Sequence, residues 1–188
     1  TEGVHNGSNG AIYYPAAELS KATAVWNMKP IVVYHPTLNG LGISACDPVV
    51  INTQKVGLIM NTRYNAKTGK LQAEAWLDLA RCAEVDDRVL NHLEQGIPME
   101  VSTGLFTENS EPDVDGAQFN GKPYTAVARN YKPDHLALLP DKVGACSLAD
   151  GAGLLVANDQ SFSDVHRSLA DQLRQRFDDE TYVEDIFT

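Results

Sequence analysis

Two alternating runs, Val56 to Asn65 and Lys70 to Leu79, are joined by Ala66-Lys67-Thr68-Gly69. A short turn of this kind between alternating segments closes an antiparallel β-hairpin, and everything attached to its strands must fit the pairing it fixes. Alternation sets Val56, Leu58 and Met60 on one side, with Leu71, Ala73, Ala75 and Leu77 lining the matching face of the partner strand.

The flanking sequence adds more short strands than helices. Residues 1 to 10 are polar and glycine-rich and read as a loop before a strand over Ala11 to Tyr14. Pro15 suits a first helical position, and Ala16 to Trp26 puts Leu19, Ala22, Val25 and Trp26 on one helical face. Ile31 to Tyr34 is short and β-branched, a strand that delivers His35 and stops at Pro36. Thr37 to Ser44 reads as a loop, and Asp47-Pro48 as the cap of a short helix or turn. Beyond the hairpin, Val85, Val89, Leu90 and Leu93 recur at helical spacing, with Gly96 as the stop. Strands are expected again around Ser102, over Tyr124 to Asn130, His135 to Leu139, Val143 to Ser147 and Gly153 to Ala157, with an exposed loop over Glu108 to Lys122. The pattern predicts an α+β chain, predominantly β, whose roughly seven strands form a closed or partly closed barrel surrounded by helices. Val165, Leu169, Leu173 and Phe177 add a C-terminal amphipathic helix. The division expected is a barrel domain over residues 1–158 and an acidic tail over 159–188, joined by a protease-sensitive connection that is a candidate self-processing site.

One strand carries chemistry. In Pro98 to Phe106, Val101, Thr103 and Leu105 alternate with Glu100, Ser102 and Gly104, so Ser102 shares its face with a residue that has no side chain, which leaves room for a substrate backbone. A serine hydroxyl needs a base to take its proton, and the base needs a third group to hold its tautomer. His35 and His135, each at the boundary of an apolar run, supply those two. A neutral His135 would serve orientation more than charge, so its loss is expected to cost less than loss of Ser102 or His35. His35, Asp134 and His135 also offer metal-ligand types, but no ligand-like spacing accompanies them, and neighbours on a strand point to opposite faces. No metal and no cofactor are expected.

The net charge of −10 argues against nucleic acid as a partner, because phosphate binding needs a basic surface. No apolar run is long enough to span a membrane, and no membrane association is expected. Cys46, Cys82 and Cys146 are odd in number and lack metal or disulfide spacing, so they read as free thiols in a reducing compartment. From Asp159 to Thr188 eight carboxylates face three arginines, which makes the tail the most acidic part of the chain.

The phrases VVYHP, PMEVSTGL and KPDHLALLP, with His35, Ser102 and His135 in that order, resemble the phage prohead maturation proteases, in particular a branch described as a domain of unknown function. Those enzymes are related to the herpesvirus capsid assembly proteases, and the resemblance spans about Gly3 to Asn158. It implies a serine endopeptidase that processes scaffold and capsid proteins inside the assembling head, in the host cytoplasm. Ser102 would be the nucleophile, His35 the general base and His135 the third member of a Ser-His-His triad. Where the herpesvirus enzymes carry paired arginines near the oxyanion, this chain reads Pro140-Asp141-Lys142-Val143-Gly144. The backbone N–H groups of Val143 and Gly144, helped by Lys142, are the nearest substitutes. Dimers are expected by the same resemblance. Two alternatives are a non-enzymatic capsid-assembly protein that keeps the protease fold and a metal-dependent hydrolase.

Overall fold

The computed structural model describes residues 1–7 and 10–156. The chain divides into two units, Thr1–Leu155 and Val156–Thr188. The expected tail helix and the candidate processing site beyond Val156 lie outside the described residues.

The first unit opens with β1 (Gly3–Gly7) and β2 (Gly10–Tyr14), a hairpin where the sequence suggested a loop. Backbone pairing with β2 is the main hold on β1, which contributes only Val4 to the buried apolar set, so no periodic pattern betrays it. Helix α1 (Ala16–Lys21) and a 3-10 turn at Ala24–Trp26 replace the single helix expected there. Strand β3 (Pro30–Val33) follows, then a small hairpin of β4 (Thr37–Leu38) and β5 (Leu41–Gly42). Asn39 and Gly40 at its tip both have positive φ, at 51° and 79°, as a tight hairpin turn requires. Asp47 caps α2 (Pro48–Thr53) by accepting from the Val49 N–H at 2.8 Å.

The expected hairpin is β6 (Lys55–Asn65) and β7 (Lys70–Leu77). Its inward face differs from strict alternation: Val56 and Ile59 are buried while Leu58 and Met60 are half-buried. The register against β3 slips between Ile31 and Val32, leaving Val56 as an extra residue that resets the alternation. The next helical stretch is two short helices, α3 (Leu79–Val85) and α4 (Asp87–Gln95), broken at Asp86, which is extended and caps α4. Gly96, at φ 65°, ends α4 as expected.

Strand β8 (Glu100–Ser110) carries Ser102. After a minor hairpin of β9 (Gln118–Phe119) and β10 (Lys122–Pro123) comes β11 (Ala126–Leu139), which runs through residues 131–134, where the sequence suggested a break between two strands. Irregularities in its pairing with β8 between Arg129 and Lys132, and between Pro133 and His135, absorb the turn-forming residues. Val143–Ser147 and Gly153–Ala157 form no strands among the described residues. Ser147 instead caps a 3-10 turn at Leu148–Asp150, and Leu154 makes an isolated bridge with Met99.

Strand β11 is the spine of the sheet. It pairs in parallel with β2 at its start and with β3 at its end, while β8 runs antiparallel along almost its whole length. The order β1-β2-β11-β3-β6-β7, with β8 also on β11, leaves β1, β7 and β8 with one strand neighbour each. The molecule is mixed α+β and mostly strand, but these pairings leave the sheet open, without the closure expected from the sequence.

The central strands separate two cores. Ile31, Val33 and Leu138 pack with Val56, Ile59, Cys82, Val89 and Met99, and Val101, Leu105 and Leu136 lie against this cluster. Val32, Ala137 and Leu139 turn to the opposite face, where Ala45 and Val50 cover them. Burying a Leu, Ile or Val side chain contributes about 1.5–3 kcal/mol, so two such layers fix the register of β3, β8 and β11. The candidate site lies on the second face.

Candidate functional site

The pairing of β8 with β11 brings Gly104 opposite His135 and Ser102 opposite Ala137. Cross-strand partners project to the same face, so Ser102 and His135 share it, with Ser102 about 7 Å along β8 from Gly104. Gly104 does not leave space for a substrate backbone, as the sequence suggested. A Cβ there would stand 2.1 Å from Cε1 of His135. The imidazole fills that volume and is seated on the glycine.

His35 reaches the same place by a turn. In extended continuation of β3, residue 35 would stand level with Pro140, past the end of β11, because Val33 pairs with Leu138. Tyr34 adopts φ 62° instead, a left-handed conformation rare for a bulky residue, while its N–H still donates to Leu138 O at 3.0 Å. Such local strain persists only where surrounding contacts hold it. The holding contacts are the Tyr34 hydroxyl donating to Asp141 at 2.7 Å and accepting from Arg88 at 2.8 Å. Arg88 also pairs with Asp141 at 2.7 Å and Asp86 at 2.6 Å, tying α4 to the segment after β11.

The turn sets Nδ1 of His35 2.8 Å from Nε2 of His135, with the rings nearly edge-on. His135 is buried, and its Nδ1 lies 2.7 Å from Oδ2 of Asp134. Asp134, also buried, accepts from the Ala45 N–H at 2.8 Å and from the Ser44 hydroxyl. Burial pushes the Asp134 carboxyl up, but the bonds from Ser44, His135 and Ala45 outweigh it and hold the group below the ordinary carboxylate value. His35 has an exposed edge, yet packing of the ring against the protein lowers its pKa, and neighbouring His135 lowers it further. Its imidazole is therefore neutral near pH 7, as a base must be.

Ser102 is half-buried, and no hydrogen bond joins its hydroxyl to His35 among the described residues. Two of the three expected residues are thus in direct contact, and the third lies on the same strand face. The oxyanion candidates divide differently. Val143 is 75% exposed. Gly144 is pressed onto β8, where a Cβ would meet Val101 O at 2.3 Å, but its N–H donates to Oε2 of Glu100 at 3.3 Å. Oε1 of Glu100 takes the Leu148 N–H at 3.0 Å, so one carboxylate fastens this loop to β8 beside Ser102. The Lys142 ammonium lies 4.6 Å over the Tyr34 ring, a cation–π contact that engages it with the strained turn.

Asp134 is the residue whose place the sequence did not reveal. Consecutive strand residues ordinarily face opposite ways, which separates Asp134 from His135 in the sequence pattern, and the irregularity between Pro133 and His135 suspends that rule. Pro133 was the available signal, since proline inside a strand marks an edge or a bulge. The same contacts speak against a metal centre here. Both ring nitrogens of His135 are engaged, one by Asp134 and one by His35, and Asp134 is taken up by Ser44, Ala45 and His135. Among the described residues no group of His, Cys, Asp and Glu is arranged to hold a metal.

Comparison with protein families, with curated proteins and with solved structures finds no match to this chain.

Proposed function

We propose that the protein is a serine endopeptidase of the prohead maturation type, with Ser102 as nucleophile, His35 as general base and His135 behind it. The observation that carries this reading is the 2.8 Å contact between an exposed His35 and a buried His135 seated on the face that Ser102 shares. A packing role does not call for two imidazoles in direct contact on an exposed residue whose outer ring nitrogen has no hydrogen-bond partner among the described residues. In the reaction, Ser102 Oγ bonds to the scissile carbonyl carbon while its proton passes to Nε2 of His35 and the carbonyl π electrons move to oxygen. Collapse expels the amine, which takes that proton, and water repeats the sequence to release the acid. Ser102 must close to hydrogen-bonding distance of His35 when substrate seats, a tightening common to free hydrolases.

Under this reading the substrates are scaffold and capsid proteins within the assembling head, in the host cytoplasm, and the open sheet with its helices is a barrel-like protease scaffold. Among the described residues no helix is long and apolar enough to cross a membrane. Labelling with a fluorophosphonate probe tests the chemistry without knowledge of the natural substrate. Label is expected on Ser102 and is expected to vanish in Ser102→Ala and His35→Ala. Absence of label from the folded native protein would favour the non-enzymatic capsid-assembly reading.

A further inference from the structure

We propose that Asp134 is the positioning residue that gives the relay between His135 and His35 its direction, so that Nε2 of His35 is left free to take a proton. The inference rests on His35 being the base in the reading above. It follows from which atoms can donate. The Ala45 N–H can only donate, so Oδ2 of Asp134 accepts from it and from His135 Nδ1, and Oδ1 accepts from the Ser44 hydroxyl. An ionised carboxylate opposite a bare ring nitrogen would set two acceptors face to face at 2.7 Å, so Nδ1 of His135 carries the hydrogen. A neutral His135 protonated there has its lone pair on Nε2, and the facing Nδ1 of His35 must then be the donor. The remaining lone pair of His35 is on Nε2.

Reversed, the same 2.8 Å contact would be inert. His135 with its hydrogen on Nε2 would donate to Nδ1 of His35, and a neutral His35 would then carry hydrogen on Nε2, with nothing there to accept the serine proton. The geometry of the two rings is compatible with either direction, and the carboxylate behind them selects one. Ser44 and Ala45 fix that carboxylate from the segment between β5 and α2, which covers the second core. The titratable group facing both Asp134 and His35 is His135.

Two substitutions separate direction from charge. In Asp134→Asn the amide oxygen can occupy the Oδ2 position, still accepting from Ala45 and His135, while the NH2 meets the Ser44 hydroxyl, which can turn to accept. Direction survives and the negative charge is lost. In Asp134→Ala both are lost. Nitrogen-15 NMR of the histidine rings reads tautomers directly, alongside kcat and KM on one cleavable peptide across pH. The native protein is expected to show hydrogen on Nδ1 and none on Nε2 in both rings at neutral pH. Asp134→Asn is expected to keep those tautomers, to move the acid limb of the rate profile to lower pH, and to lower kcat by roughly 10- to 100-fold with KM little changed. Asp134→Ala is expected to populate the Nε2–H form of His35 and lose more. Native His35 protonated on Nε2 at neutral pH, or an Asp134→Ala protein that keeps the native tautomers and the native rate, would overturn the proposal. Should the expected tautomers appear in a native protein that neither cleaves nor takes the fluorophosphonate, the protease reading fails and the relay stands.

Discussion

Gly104 is the residue on which the rings depend most directly. Adding a methyl group would place carbon 2.1 Å from the His135 ring, so the ring must move and carry its contact with His35 along. Gly104→Ala is expected to lower kcat/KM by roughly 100-fold, the usual effect of displacing a catalytic group by about an ångström. The overpacking should cost about 1–3 kcal/mol, leaving a folded protein by circular dichroism. Native activity in this variant would mean that His135 need not stay where it is. Asp134 alters the expectation for His135 itself. On sequence grounds His135 lacks a negative charge to lend, and its removal is expected to cost less than that of Ser102 or His35, yet the 2.7 Å contact couples it to a carboxylate. His135→Ala is therefore expected to lose at least as much activity as Asp134→Asn, measured on the same peptide. The pH dependence carries a defined sign. Because the His35 pKa is lowered, the acid limb of kcat/KM should fall below its ordinary value of 6.5. Asp134 is likewise held below its ordinary 3.8, so its stabilisation is present above that pH and lost as pH falls through its folded value. Acid unfolding of Asp134→Asn, compared with the native chain, checks this as a flatter loss of stability at the acid end.

Among the elements, the hairpin of β6 and β7, strand β3, the strand carrying Ser102 and the Gly96 stop were legible in the sequence because local pattern determines them. What stayed hidden were departures from pattern. The slip at Val56 reverses which neighbours are buried, the irregularity at Asp134 puts two consecutive side chains in contact, and β1 is held by backbone bonds with little apolar content. A bulge is a property of two strands together, so neither sequence alone discloses it. The site divides along the same line. His35, Ser102 and His135 could be named from their residue types, whereas the seat on Gly104 and the anchor at Asp134 required the register. Asp86 shows the reverse case, where a local rule overrides a longer period. Val85, Val89 and Leu93 suggest one helix, but Asp86 is extended at φ −162° and accepts from the Arg88 N–H as the cap of α4. Asp86→Ala should cost about 0.5–2 kcal/mol, the range for losing an N-cap, read as a lowered denaturation midpoint. Because Arg88 would lose its partner at 2.6 Å, its hold on Asp141 and Tyr34 should loosen, and cleavage should fall more than stability accounts for.

At the scale of the whole molecule, the question is how much chain the site needs. Among the described residues, the two cores on either side of the central strands, the spine β11 and the groups around His35 and His135 belong to the unit Thr1–Leu155. The last described contacts that close this unit are made by Leu154, which packs on the main core and exchanges backbone bonds with Met99 at 2.8 and 3.0 Å. Met99 in turn is fully buried just before the strand that carries Ser102. A chain ending at Val156 keeps that closure, whereas one ending at Gly153 removes Leu154 and leaves Met99 with an unpaired N–H and carbonyl. The first truncation is expected to unfold within a few degrees of the full chain and to take fluorophosphonate on Ser102 at a similar rate. The second should lose roughly 2–4 kcal/mol, from one half-buried leucine and two backbone hydrogen bonds, and label more slowly. Thermal denaturation and labelling of the two truncations beside the full chain provide the comparison. If the chain ending at Val156 unfolds or fails to label, the acidic segment after it takes part in the fold or in the site.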